Sequence, residues 1–287
     1  MTATIPYAVA AACGFGIALV LTKLGLQYMS ARAGAAVSIP SATVLLWCAA
    51  PFASDLSGWN AAAVAIFALV GVFFPAVVTL LMFEANDRMG PTVAGTISST
   101  TPLFAACGAI VFLGEALTPR VGLGALAVVV GVGALTWRRA DIPLRWPRAA
   151  VGLPVLAAAV RGLSQALIKL GLALWPSPFA AALTGYSIST ITVVAARSVG
   201  ARAPSPVSQR KGAGWFALAG LCNGAAVLIM YHALTLGSVA TVSTIVAAHP
   251  LVAMAIGACV LRVERLDAAK AFGVLLVVAG VILVIVG

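Results

Sequence analysis

Apolar residues run through this chain in long, nearly unbroken blocks, separated by short polar or basic connections. Several blocks, such as those at 7–29, 61–83 and 213–236, are about as long as a helix needs to cross roughly 30 Å of hydrocarbon. The pattern predicts ten spans near residues 7–29, 34–53, 60–84, 91–113, 119–137, 149–174, 178–197, 213–235, 238–260 and 267–286. A membrane β-barrel is rejected, because its strands would alternate in polarity over about ten residues. The first block lacks a basic leader and is followed by further spans, so it reads as a retained helix. The only longer connections are 138–148 and 198–212. Any activity is therefore expected within the bilayer.

Composition sharpens that reading. Hydrophobic residues make up 62% of the 287 and charged residues 8%, whereas a water-soluble domain needs roughly a quarter charged. The net charge of +10 is not a nucleic-acid signature, because the basic residues lie mainly between spans without interleaved aromatics. Of seventeen Lys and Arg, thirteen fall in the odd-numbered connections, Arg120 alone in an even one, and Lys23, Arg161 and Lys169 within spans. Basic residues favour the cytoplasmic side, so the odd connections are expected inside a bacterial inner membrane and both termini outside. Cys13, Cys48, Cys107, Cys222 and Cys259 all lie in apolar segments without a CxxC and read as buried small hydrophobes.

The two halves repeat one another. Thr22-Lys23-Leu24-Gly25-Leu26 matches Ile168-Lys169-Leu170-Gly171-Leu172 at an offset of 146. Met82-Phe83-Glu84-Ala85 matches Met230-Tyr231-His232-Ala233, and Pro102 matches Pro250, both at 148. Glu115 matches Glu264, and Gly124 and Gly131 match Gly273 and Gly280, at 149. With five spans per repeat, the second half enters the membrane from the opposite side. The predicted fold is an all-α integral membrane protein of ten transmembrane helices in two inverted five-helix repeats, 7–137 and 149–286, joined by the basic loop 138–148. Inverted repeats permit two related packings, open to either side, which is the basis of alternating access. The glycines of the fifth and tenth spans read as a close-packing stripe or a dimer surface, and the chain as a monomer or loose homodimer.

Polar groups deep in the membrane are costly and mark function. Arg161 and Gln165 lie one turn apart on one face of the sixth span, Asn223 is central in the eighth, and His249 directly precedes Pro250 in the ninth. Their repeat counterparts are Phe15, Leu19, Pro75 and Thr101. This polar half and apolar half suit an amphipathic solute, with Arg161 for an anionic group and His249, Asn223, Gln165 and His232 for orientation. Glu84 and His232 are repeat mates expected at opposite mouths, where each is a gating or proton-coupling candidate; Glu84 also has Arg88 one turn on. Pro102 and Pro250 are hinge candidates, since proline frees the carbonyl one turn earlier. Lys23, Lys169, Glu115 and Glu264 sit at helix ends and read as structural. No metal, nucleotide or nucleophile motif is present, so no cofactor and no enzymatic activity are expected.

The TKLG/IKLG lysines, and a mid-helix proline followed thirteen or fourteen residues later by a glutamate (Pro102–Glu115, Pro250–Glu264), complete a resemblance. The chain resembles the drug/metabolite transporter superfamily, EamA-type, over nearly its whole length; within it, the YddG-like exporters of aromatic and other amino acids are its suggested neighbours. The resemblance implies an inner-membrane carrier whose central cavity is lined by spans one, three, four, six, eight and nine, with five and ten outside it. It departs from the small multidrug-resistance branch, whose first helix bears an acidic residue where this one bears only Lys23. The expected function is export of an amino-acid-like solute. A flippase of lipid-linked sugars or a carrier of phosphorylated metabolites would want paired deep cations, for which Arg161 with Lys169 is the only approximation; a channel would want a polar pore in both halves.

Overall fold

The structure is a computed structural model that describes residues 3–53, 58–89, 94, 97–136, 148–197, 206–259 and 268–286. The regular elements among them are all helical: α1 (Thr4–Gly25), α2 (Ala31–Ala49), α3 (Ala61–Gly71), α4 (Val78–Met89), α5 (Thr101–Leu113), α6 (Pro119–Thr136), α7 (Arg148–Leu174), α8 (Pro178–Arg197), α9 (Pro206–Leu236), α10 (Val239–Val246), α11 (His249–Cys259) and α12 (Ala268–Val286). Seven segments are long and apolar enough to cross a membrane, with α3–α4 and α10–α11 each counting as one. The shorter apolar helices α5, α6 and α12 coincide with the fourth, fifth and tenth predicted spans. Polar side chains fix several starts: Ser30, Asn60 and Ser238 accept from the backbone N–H of Ala33, Ala63 and Thr241, occupying donors that a first turn leaves free.

Pro40 and Pro154 lie inside unbroken helices, but at Pro75, Pro102 and Pro250 a side chain takes over the carbonyl that the proline cannot serve. Before Pro75 the backbone passes through a π-helical stretch, Val72–Val77, with Phe74 extended at φ −125, ψ 128. Gly71, four residues before that proline, accepts instead from Ser189 Oγ of α8 at 2.5 Å. Thr101 Oγ1 donates to Ser98 O at 2.8 Å ahead of Pro102. His249 Nδ1 lies 3.0 Å from Val246 O ahead of Pro250, where a turn separates α10 from α11.

The halves interlock. Among the described residues, α1 packs chiefly on α9, α10 and α11, and its repeat mate α7 on α3, α4 and α5. Likewise α2 packs on α8 and α9, and α8 on α2 and α3; contacts between spans of one half are sparse. The predicted fifth and tenth spans, α6 and α12, pack on each other through their glycines. A Cβ on Gly124 would lie 2.7 Å from Gly280 O and one on Gly131 2.9 Å from Gly273 O. The reciprocal approaches, from Gly280 to Gly124 O and from Gly273 to Gly131 O, are 2.7 and 2.8 Å. Because 124 meets 280 and 131 meets 273, these equivalent helices run antiparallel, as inversion requires. The stripe is thus occupied within the chain, and the outer faces present Leu123, Leu126, Val130, Leu275 and Ile282.

The cysteines depart from the sequence reading. Cys13, Cys48 and Cys107 are exposed and Cys222 is half-buried. In a chain surrounded by hydrocarbon, small apolar side chains gain little from the interior over the lipid-facing surface, so apolar character does not predict burial there.

Candidate functional site

The helix crossings nearest the centre obey the same two-fold relation. Gly162 on α7 meets the start of α5: a Cβ there would lie 2.7 Å from Thr101 O and 2.6 Å from the Ala105 nitrogen. Its repeat mate Gly16 on α1 meets α11, with 2.8 Å to His249 O and 2.6 Å to Val252 Cβ. Only a residue without a side chain permits either approach, and the preceding residues, Arg161 and Phe15, are carried to the same region. Phe15 and His249 meet edge to face at 6.3 Å, and Arg161 lies within electrostatic reach of His249. Arg161, His249, Phe15 and Thr101 therefore gather where the two halves cross, two residues from each repeat.

The polar complement of this centre is incomplete by itself. Arg161 Nε and Gln165 Oε1 are buried and have no hydrogen-bond partner among the described residues. They lie one turn apart on α7, one a donor and one an acceptor. The contact with the Val246 carbonyl makes His249 Nδ1 the donor, so in the neutral ring Nε2 is an acceptor. Asn223 is half-buried on α9, between the residues that meet α1 at Gly14 and those that meet α2 at Ala42.

Other candidates lie away from the centre. His232 sits near the end of α9 with its ring 4.5 Å from that of Tyr7, near the start of α1. Glu84 is at the opposite end of the bundle, beyond Met82 where the apolar span ends. There it accepts from Arg88 and from Arg32, each at 2.8 Å. Arg88, chiefly, and Arg32 hold its carboxyl below the usual carboxylate value. Arg88 was foreseeable from its spacing; Arg32, 52 residues away, was not.

Lys169 and Glu115 meet, although 54 residues apart. Gly114, at φ +63, ends α5 in the left-handed conformation that glycine favours, and the turn brings Glu115 over the end of α7. Lys169 Nζ lies 2.6 Å from Glu115 Oε1 and donates to Gly237 O, also at 2.6 Å. The other carboxylate oxygen accepts from the Val239 N–H at 3.0 Å, at the first turn of α10. One ion pair thus ties the ends of α5, α7 and α9 to the beginning of α10. Lys23 is exposed at the end of α1, and Glu264 lies outside the described residues.

The signal that sequence reading passed over was Gly16/Gly162, a pair at the same 146 offset as the lysines and directly after Phe15/Arg161. Among the described residues no cluster of His, Cys, Asp and Glu could hold a metal ion.

No curated protein matches the chain. Twenty-nine chains of solved structures match it. One crystal structure covers 99% of this chain and 96% of its own at a TM-score of 0.78 and 18% identity, a likeness of fold. A family match is more telling than either, because it falls on both halves separately, at residues 2–137 and 148–286. By that match the chain belongs to the EamA-like transporter family.

Proposed function

We propose that this protein is an inner-membrane secondary transporter that exports small amphipathic metabolites, above all aromatic and other neutral amino acids, by alternating access. Ten spans with odd-numbered connections in the cytoplasm belong to this reading. The observation that carries it is the pair of buried, unpartnered groups at the crossing of the repeats, Arg161 Nε and Gln165 Oε1. A lone guanidinium recognises a carboxylate through charge-assisted hydrogen bonds. The acceptors at Gln165 and His249 Nε2 suit an ammonium or hydroxyl donor, and Phe15 offers an aromatic face to a side chain. The solute would complete the hydrogen bonds that the protein leaves unmade, and so favour the packing that encloses it.

The rival reading, a flippase or exporter of lipid-linked or phosphorylated metabolites, loses support. Lys169, the second deep cation it needs, is already neutralised by Glu115. Proton coupling at Glu84 is disfavoured as well, because its two arginines keep it ionised around neutral pH. Efflux down the solute gradient requires no titrating group.

The test is efflux of labelled Phe, Trp, Thr and Met from preloaded proteoliposomes, with and without an inward proton gradient, for wild type and R161A. Saturable efflux lost in R161A supports the reading, and its response to the gradient decides coupling. If no amino acid moves while a phosphorylated or lipid-linked compound does, the substrate assignment is wrong.

A further inference from the structure

Four buried side-chain polar atoms lack a partner among the described residues: Arg161 Nε, Gln165 Oε1, Ser243 Oγ and Thr4 Oγ1. They are not scattered. Arg161 and Gln165 share one face of α7 with Lys169 at successive intervals of four residues, which spans about 12 Å of helix. Opposite, the chain descends through α10 from Val239 past Ser243 to His249, about 15 Å at the same rise. The two lines run antiparallel, meet at the outer end and approach each other at the centre. Lys169 donates to Gly237 O at the outer end, and Arg161 comes within electrostatic reach of His249 at the centre. Thr4 completes the series at the mouth, where its Oγ1 would be 2.6 Å from a Cβ on Gly237.

We propose that this line is the route by which a polar solute passes between the central site and the Glu115 side of the membrane, and that the Lys169–Glu115 ion pair closes it. Unmade hydrogen bonds in an apolar interior each cost free energy, so a row of them marks a line where water or a passing solute satisfies them. The closing contact has the right composition for a reversible latch. It is an ion pair with both side chains partly exposed, held on one side by a backbone carbonyl and on the other by a backbone N–H of a different helix. Breaking it removes the polar tie of α10 to α5 and α7 together. Beyond it lie two small cavities of about 20 and 80 Å³ that share Ser238 and Thr241, each roomy enough for water. Glu115 itself lines the larger of them. The inference rests on the reading that the chain carries a solute and not on which solute it carries.

The test needs no substrate. The S243C protein is treated with the membrane-impermeant anionic thiol reagent sulfonatoethyl methanethiosulfonate, in sealed vesicles of either orientation. Peptide mass spectrometry separates the new thiol from the native cysteines. With the latch intact, reaction from the Glu115 side is expected to be slow. In the E115Q background it should accelerate about tenfold from that side and not from the other, as expected when one charge-assisted contact is lost. An unchanged rate, an equal rise from both sides, or no reaction in any background overturns the proposal. Should E115Q fail to give a monodisperse protein, E115D, which keeps the charge on a shorter stem, should give a smaller rise confined to the same side. A rate equal to that of the intact latch would then overturn it. Loss of amino-acid efflux with this labelling pattern preserved would count against the substrate assignment alone.

Discussion

Replacing Arg161 by methionine separates a guanidinium kept for a solute from one kept for the fold. Arg161 Nε is buried with no partner among the described residues, and a buried donor left unsatisfied costs about 1–3 kcal/mol. Methionine has a similar reach, retains most of the apolar contact of the arginine stem, and carries no donor. If the guanidinium is held for a passing anion, R161M should be the more stable protein, by about 1–2 kcal/mol. At about 2–4 °C per kcal/mol for a chain of this size, its unfolding midpoint rises by a few degrees. Saturable efflux is lost at the same time. Intrinsic fluorescence from the six tryptophans follows unfolding in detergent, and the same preparation is reconstituted for efflux. A midpoint that falls by several degrees would refute the reasoning, because it would make Arg161 a structural tie. The contrast matters because an alanine substitution that lowers both activity and stability cannot distinguish the two roles.

Three other outcomes follow from the geometry. Gly131→Leu places a side chain against the Val277 nitrogen and Gly273 O, both under 3 Å from an added Cβ; it should destabilise by about 1–3 kcal/mol, read as a lower unfolding midpoint. Thr101→Val keeps the side-chain shape but strips Ser98 O of its side-chain donor. It should cost about 1–2 kcal/mol by the same measurement, whereas Thr101→Ser, which restores the hydroxyl, should recover most of it. Glu84 has a lowered carboxyl because of Arg88 and Arg32, so its stabilising ionisation is complete at neutral pH and is lost only as pH falls through that lowered value. E84Q should therefore leave the pH profile of efflux between about pH 6 and 8 unshifted, and the unfolding midpoints of E84Q and wild type should converge in acid. A profile displaced within that window would reinstate Glu84 as a coupling group.

Much of this architecture is legible in the sequence because the bilayer imposes it. Spans must be apolar and of a set length, and a charge at depth must have a reason, so Arg161 stands out from its position in the chain alone. The repeat is readable because equivalent positions keep equivalent surroundings: Pro102 and Pro250 each lie in the first turn of a helix, and the carbonyl four residues before each is taken by the residue just before the proline. Pairings between halves are less readable. Nothing local to Lys169 names Glu115, since their meeting depends on how α5 ends and how α7 crosses it. The same holds for Arg32 and Glu84. The glycine stripes of α6 and α12 show that a smooth surface exists, but their spacing is equally suited to a second copy of the chain and to the other half of this one. Only the crossing of 124 with 280 and 131 with 273 decides that.

The interlocking of the two halves bears on how the protein is made. Each helix of the first half finds its main neighbours in the second, so the first-half helices have little to pack against while the ribosome is still translating the remainder. They must wait in lipid or beside the insertion machinery, with Glu115 unpaired until Lys169 arrives and with Gly124 and Gly131 uncovered until the last helix is inserted. Such long-range contacts repay chain ordering late. Assembly is therefore expected to be a single event at the end of synthesis rather than two successive ones, leaving a half-made chain without a folded intermediate to rest in. A quality-control protease would meet the nascent first half as unassembled helices. Truncation anywhere before α12 should accordingly yield degradation, with no stable five-helix fragment.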